Sequence, residues 1–283
     1  IIYLLIHFRN AVFYVNLHSI GFIGAGNIAT AIFGGQITSG RANELEVHVF
    51  DTDPAKVDAF VGRGAVACDS TKELVEKCEY IFLTVKPQVY KIVLSEISSC
   101  DMTGKCFIDI GAGITTDFVR SFLGRQTQVI RVMPNTPLLV GFGATAVAAD
   151  GSITKENVDF VNGIFSCCGK TEFVDESDIN TVTAVSGSSP AFVFRFAKAA
   201  VEEAAALGMS EKAALNLFAQ TLIGSAHMLT DSGMTADELI KMVSSPNGTT
   251  VAGLAKLTDG GFDEAVANAV RAAKERADEL AKQ

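Results

Sequence analysis

A short apolar stretch, Ser19-Ile20-Gly21-Phe22-Ile23, runs straight into Gly24-Ala25-Gly26 and then into helix-forming sequence from Asn27 to about Ser39. This strand–glycine–helix junction constrains the fold more than any other feature of the chain. In the pattern Gly24-x-Gly26-x-x-Ala29, the first glycine permits a tight turn and the second lets backbone approach a pyrophosphate. Ala29 is small enough for the helix to lie close on a sheet. Gly24, Ala25, Gly26, Asn27 and Ile28 are therefore candidate dinucleotide-binding residues. A glycine loop alone is common, so the context carries weight. Asp51 follows 25 residues after Gly26, at the end of a second apolar strand, Glu46 to Phe50. A carboxylate there accepts hydrogen bonds from ribose hydroxyls and repels a 2′-phosphate. Asp51 thus leans toward NADH over NADPH. Lys56 and Arg63 lie nearby in sequence and read equally well as solvated cations.

The alternation continues. Helix is expected at Ala55–Val61, Thr71–Lys77 and Val89–Ile97. Strands are expected at Ala65–Ala67, Tyr80–Val85, Cys106–Ile110, Val129–Val132 and Gly143–Ala149. Strands alternating with helices imply a parallel sheet covered on both faces. Strand ends recur at Gly24, Asp51, Lys86 and Gly111, and in an open α/β sheet such ends form the ligand crevice. After about residue 176 the pattern turns helical. Pro190 suits the first turn of a helix running to Gly208, and Ser210 caps a second running to Gly233. Thr235-Ala236-Asp237-Glu238 is a capping box for a third, Thr249 starts a fourth, and Phe262–Ala281 is a fifth. The expectation is an α/β protein. An N-terminal Rossmann-type dinucleotide-binding domain spans 19–176, and an all-α dimerisation domain spans 177–283. The helical part is thin and alanine-rich, so its apolar faces are expected to be buried against a second copy of the chain. Residues 1–18 are apolar but broken by His7, Arg9, Asn10 and Asn16. They are too interrupted for a membrane helix and have no small-residue cleavage site. They read as an upstream extension outside the fold, with an extra strand or interface segment as the alternative.

Composition narrows the function classes. The 283 residues are 48% hydrophobic and 19% charged, with a net charge of −9 and a pI near 5.0. Nucleic acid and acidic membrane both require clustered Lys and Arg, so neither is an expected partner. Any anionic ligand must be caught by local dipoles and a few cations. Six cysteines form no CxxC pair and four histidines are scattered, which argues against a metal site. Cys167-Cys168 reads as a reduced apolar helix turn, and the cysteine usage fits a cytoplasmic location.

Near the other end, Ser244-Ser245-Pro246-Asn247-Gly248-Thr249-Thr250 breaks one helix, turns, and opens another with two hydroxyls in its first turn. Helix N-termini attract anions. The stretch therefore suits a small substrate with a carboxylate and an atom that accepts a hydrogen bond. Thr249 and Thr250 also suit simple capping, a role expected of one of them. Met133-Pro134-Asn135-Thr136-Pro137 reads as a stiff turn, with the Asn135 amide offered to the crevice.

Taken in order, these motifs resemble the Δ1-pyrroline-5-carboxylate reductases over about residues 19–280. The resemblance rests on Gly21-Phe22-Ile23-Gly24-Ala25-Gly26-Asn27, Val85-Lys86-Pro87-Gln88 and Arg131-Val132-Met133-Pro134-Asn135-Thr136-Pro137. It continues through Val185-Ser186-Gly187-Ser188-Ser189-Pro190-Ala191-Phe192 and the Ser244–Thr250 stretch. It implies NADPH or NADH as hydride donor and reduction of the cyclic imine 1-pyrroline-5-carboxylate to L-proline. It also implies a homodimer or larger homo-oligomer. By position, Thr250 matches the threonine that bonds the substrate nitrogen and is the candidate catalytic residue. Ser245, Asn247, Gly248 and Thr249 fall in the substrate-carboxylate loop. Val85, Lys86 and Pro87 lie in the loop beside the cofactor, Gly111, Ala112 and Gly113 end another crevice strand, and Asn135 lies beside the nicotinamide. The chain departs from the family pattern at Ser189, Phe192 and Asn247, where Gly, Tyr and Gly are usual. Two other functions share the architecture. A 3-hydroxyacid-type dehydrogenase needs a catalytic lysine on the first long helix, where this chain has Lys198 with Glu202 four residues on. A nucleotide-sensing homologue would keep the fold without turnover.

Overall fold

The structure is a computed structural model that describes residues 2–8 and 11–281, with side chains from residue 17. Strands β1 (Ile2–Phe8) and β2 (Ala11–Ile23) pair antiparallel, Ile2 opposite Leu17 through Phe8 opposite Ala11. The first strand of the fold therefore begins at Ala11, not Ser19, and residues 2–8 add a further strand. The sequence favours this pairing. Val12, Phe13, Tyr14 and Val15 are β-branched or aromatic, and an antiparallel partner satisfies backbone groups that would otherwise lack one.

Then follow α1 (Asn27–Thr38), β3 (Leu45–Phe50), α2 (Pro54–Val61), β4 (Val66–Ala67), α3 (Thr71–Lys77), β5 (Tyr80–Leu83) and α4 (Tyr90–Ile97). Next come β6 (Cys106–Asp109), α5 (Thr116–Leu123), β7 (Gln128–Met133), β8 (Gly143–Ala148), α6 (Lys155–Ser166), β9 (Gly169–Phe173) and the single turn α7 (Ile179–Val182). The sequence reading assigns no element to α5, α6 or β9. The sheet order is β4-β3-β2-β5-β6-β7-β8-β9, with β1 beside β2. Strands β4 through β7 run parallel, whereas β8 is antiparallel to β7. The segment joining β7 to β8 is too short for the crossover a parallel pair needs. Strand order reverses between β2 and β5, so the crevice lies at their carboxyl ends.

Alternate residues of each strand serve opposite faces. Phe22, Phe82, Ile108 and Val132 pack with Ala29 and Ile32 of α1 and Phe165 of α6. Ile23, Ile81, Leu83 and Phe107 pack with Leu74 of α3, Leu94 of α4 and Val119 of α5. Both faces are thus covered, as the near-continuous apolar strands require.

The chain divides into two compact units, residues 1–187 with 273–283, and residues 188–272. The break at 187/188 lies later than the expected 176/177, because Ile179 is fully buried with Met133, Ala146 and Ala148 of the sheet. The second unit contains α8 (Ser189–Ala206), α9 (Glu211–Asp231), α10 (Ala236–Met242), α11 (Thr249–Asp259) and the first part of α12 (Phe262–Leu280). Phe196 packs against Phe218 and Phe262 at ring separations of 5.3 and 6.0 Å. Among the described residues no helix is long and apolar enough to cross a membrane.

Candidate functional site

At the reversal point Gly24 has φ +102°, and its N–H donates to the Phe50 carbonyl at 2.8 Å. A Cβ there would lie 2.9 Å from the carbonyl carbon and oxygen of Thr84. Only glycine accepts both the conformation and the contact. Thr84 closes the seam: its N–H donates to Ile23 O at 3.0 Å and its hydroxyl lies 2.6 Å from Gly24 O. Gly26 is different. Its backbone is ordinary and extended, and a Cβ would meet nothing within 4 Å. The protein's own packing does not need glycine here, so the space Gly26 leaves open suits a close ligand. Gly26 is the N-cap of α1, which has no side-chain cap and no acidic residue in its first turn. Its end keeps its positive dipole and free N–H groups for an anion. Ala29, fully buried, seats the helix on the sheet.

Asp51 lies where a ribose-reading carboxylate belongs, yet both its oxygens already work within the protein. Oδ2 accepts the Ala25 N–H at 2.8 Å and Oδ1 the Asp53 N–H at 2.9 Å. Asp51 is thus a clamp on the glycine loop as well as a candidate ribose ligand, since each oxygen retains a second lone pair. Lys56 stands 3.9 Å from Oδ1.

Val85 and Pro87 are half-buried just past β5, and Lys86 between them is exposed. Gly111-Ala112-Gly113 follows β6, but both glycines have packing reasons. A Cβ on Gly111 would lie 2.8 Å from the Tyr90 hydroxyl, and one on Gly113 2.8 Å from Leu280 Cβ. Asn135 departs from the reading of an amide offered to the crevice. Its Oδ1 accepts the Ala144 N–H at 2.9 Å and its Nδ2 donates to Ser186 O at 3.2 Å. The amide is a strut between β8 and residue 186, and the buried position demands those bonds. Sequence reasoning missed Thr84, Tyr90 and Asp109. An aspartate inside the apolar run Cys106–Ile110 was the available signal for the last.

In the helical unit, Asn247 has φ 57°, the one non-glycine positive φ among the described residues. The turn does require the left-handed region that its usual glycine supplies, and Asn tolerates it. Gly248 then opens α11 from extended backbone with no side-chain cap. Neither Thr249 nor Thr250 caps the helix, contrary to the expectation for one of them. A Cβ on Gly248 would lie 2.5 Å from Ser245 Oγ, so the turn folds tightly on itself. Thr249 is exposed and Thr250 half-buried. Ser244 is committed to α10, its hydroxyl donating to Ile240 O at 2.7 Å. Lys198 is an exposed partner of Glu202, one turn away on α8.

Residues 176–280 match the family model described as pyrroline-5-carboxylate reductase dimerisation. Residues 19–113 match the one described as NADP oxidoreductase, coenzyme F420-dependent. The pyrroline-5-carboxylate reductase of Escherichia coli is 39% identical over 264 residues, covering 93% of this chain and 98% of the relative. The chain belongs to the pyrroline-5-carboxylate reductases. Two solved reductases agree in fold. That of Coxiella burnetii has a TM-score of 0.85 at 31% identity, over 95% of this chain and 100% of the other. That of Plasmodium falciparum, solved with NADP bound, has a TM-score of 0.84 at 28% identity, over 94% and 99%. The family is NAD(P)H-dependent, and a dinucleotide fits the open space before Gly26 and the uncapped end of α1.

Proposed function

We infer that the chain reduces 1-pyrroline-5-carboxylate to L-proline at the expense of NADH or NADPH. One structural observation supports this reading best. Among the α-helices entered from extended backbone, α2, α3, α5, α6, α9 and α10 are capped by their own Asp53, Ser70, Thr115, Thr154, Ser210 and Thr235. The exceptions are α1 and α11, each opened by a glycine. Within that set two uncapped ends can receive anions, one on the sheet and one in the helical unit. A dinucleotide pyrophosphate and a substrate carboxylate are the anions that this reaction brings.

When bound, the nicotinamide supplies the hydride. The chain's residues do the rest. Gly24 to Ile28 receive the pyrophosphate at the end of α1. Asp51 meets the adenosine ribose, an assignment that favours NADH. Val85, Lys86 and Pro87 flank the cofactor at the carboxyl end of β5, with Gly111–Gly113 at the neighbouring strand end. Ser245, Asn247, Gly248 and Thr249 hold the substrate carboxylate, so that one face of the imine is presented. The Thr250 hydroxyl faces the ring nitrogen, accepting the N–H of the protonated imine and donating to the nitrogen lone pair that forms as hydride arrives. A pyrroline imine is basic enough to be protonated in water near neutral pH, so orientation and one hydroxyl meet the chemical demand. The enzyme acts as a homo-oligomer, and we assign the dimer contact to the helical unit. Six unpaired cysteines support a reducing compartment such as the cytoplasm.

Steady-state oxidation of NADH and NADPH with 1-pyrroline-5-carboxylate, with proline measured as product, tests this reading. Proline should form with both cofactors. Saturating imine and either cofactor yielding no proline would leave the nucleotide-sensing alternative.

A further inference from the structure

Asp109 ends the apolar strand β6 with its side chain fully buried. Carboxylates seldom sit inside without a partner. Its Oδ1 accepts the Gly111 N–H at 2.8 Å and lies 2.7 Å from the Tyr90 hydroxyl oxygen. That hydroxyl also lies 2.7 Å from the carbonyl oxygen of Leu83, the last residue of β5. A phenol has one proton to donate, and a carbonyl only accepts. Both short contacts are full two-centre hydrogen bonds only if Asp109 itself carries a proton. Asp109 then donates to Tyr90, and Tyr90 donates to Leu83.

The charged groups around Asp109 do not compel its ionisation. Arg131 is its register partner on β7, but donates to Glu176 at 3.5 Å and Asn180 at 3.3 Å. Glu176, after β9, opposes a second negative charge and is itself held by the Thr116 N–H and hydroxyl. Asp109 Oδ2 and Arg131 Nε have no hydrogen-bond partner among the described residues. Burial outweighs the favourable bonds and pushes the Asp109 carboxyl up to about 7, and it raises the Tyr90 phenol well above its ordinary range.

We propose that Asp109 is a positioning residue held as the neutral acid, and that the chain Asp109–Tyr90–Leu83 sets the floor of the cofactor crevice, so that ionising Asp109 weakens NADH binding. The inference rests on the crevice being the dinucleotide site. Leu83 leads into Thr84, which holds Ile23 and Gly24. Gly111 leads into the Gly111–Gly113 loop and packs so closely on Tyr90 that a Cβ would lie 2.7 Å from the ring carbon bearing the hydroxyl. An ionised Asp109 accepts the phenol's hydrogen bond, and Tyr90 no longer donates to Leu83. The Leu83 carbonyl then faces a phenol lone pair at hydrogen-bond distance, and the two must separate. The movement reaches both sides of the crevice floor at once.

The linkage has a definite sign. The native carboxyl keeps its proton up to about 7, whereas the ordinary value is 3.8. The folded state therefore binds more protons between those values, and stability falls as pH rises through them. Asp109→Asn cannot ionise, and because Oδ1 meets both the Gly111 N–H and Tyr90, an amide oxygen there accepts from both but donates to neither, which reproduces the ionised arrangement without its charge.

The experiment measures NADH dissociation constants by NADH fluorescence, together with melting temperatures of the cofactor-free protein, from about pH 5.5 to 8.5. NADH is chosen because it has no 2′-phosphate to titrate. The wild-type Kd should rise roughly three- to tenfold across the range, and its melting temperature should fall relative to D109N until about pH 7. The D109N Kd should stay flat at the wild type's weaker, high-pH value. Y90F should bind weakly at every pH. A flat wild-type Kd, or a D109N Kd that rises as the wild type's does, overturns the proposal. Should D109N fail to fold, Y90F decides, because retained pH dependence in that variant also overturns it. No NADH binding at any pH, with the melting difference intact, overturns the crevice reading instead and leaves the neutral acid standing.

Discussion

Replacing Thr250 by valine keeps the β-branched shape and removes one hydroxyl. Because Gly248 is the N-cap and no side chain caps α11, the change takes away no helix cap. The melting temperature should stay nearly constant. On the proposed role, the hydroxyl gains a bond to the ring nitrogen as hydride arrives and the nitrogen acquires a lone pair. Its loss should lower kcat by one to two decades, equivalent to about 1–3 kcal/mol, with cofactor affinity unchanged. Measuring kcat and melting temperature on one sample checks this, and an intact kcat removes Thr250 from the chemistry. Asp51 permits a second single-residue test. Asp51→Ser removes a negative charge that would repel a 2′-phosphate, and it removes acceptors for the Ala25 and Asp53 N–H groups. Both cofactors should bind less well, and the ratio of kcat/KM for NADPH over NADH should rise. A ratio that stays put would leave Asp51 as a loop clamp alone.

At the turn that opens α11, backbone geometry bears on the proposed carboxylate loop. Asn247 occupies φ 57°, a region glycine enters without penalty. Asn247→Gly should hold or slightly raise the melting temperature and leave KM for the imine unchanged or lower. A β-branched residue there costs on the order of 1–3 kcal/mol. Asn247→Val should therefore lower the melting temperature and raise KM for the imine more than it changes kcat. Thermal melts and steady-state kinetics on both variants check the pair. Equal KM values for both variants would show that the carboxylate does not depend on this turn. The same element explains a limit of motif reading. The Ser-Pro-Asn-Gly-Thr-Thr stretch was visible as a helix opening, but which residue served as N-cap depended on backbone angles that several neighbours could have supplied.

Across the whole molecule, the helical unit is the weak point of a lone chain. Between residues 188 and 272 only Val201, Ala214 and Leu239 are buried apolar residues, while Phe194, Leu217 and Leu207 are 66%, 62% and 80% exposed. A unit with so little interior cannot offset its chain entropy by itself. Together with the dimerisation-family match, this predicts coupled folding and assembly. The melting temperature should rise with protein concentration, as mass action requires of an obligate oligomer. Light scattering should find at least a dimer at low concentration. An active monomer with a concentration-independent melting temperature would refute the assignment.

Local signals carried much of the architecture. Short apolar runs placed β3 and β5 through β8, because a strand buried on both faces has few other residues to use. Ser210 and the Thr235–Glu238 box marked helix starts, because a cap is a bond between near neighbours. The glycine loop and the Ser244–Thr250 turn were legible for the same reason. Elements with weaker local marks went unassigned: α5 and α6 are announced only by single threonines, Thr115 and Thr154. Other features depended on residues far apart in sequence. The Asn135 amide looked free until Ala144 and Ser186 folded against it, and Asp51 looked like a ribose ligand alone until it was found holding Ala25. Residues 11–18 joined the first strand, with residues 2–8 paired beside them. The sequence by itself determined where most helices and strands arise and marked the glycine-opened turns as candidates to meet anions, since these follow from spacing and local hydrogen bonds. Only the tertiary structure decided which polar groups remain free to meet a ligand, since burial pairs most such groups with whatever partner the fold brings within reach.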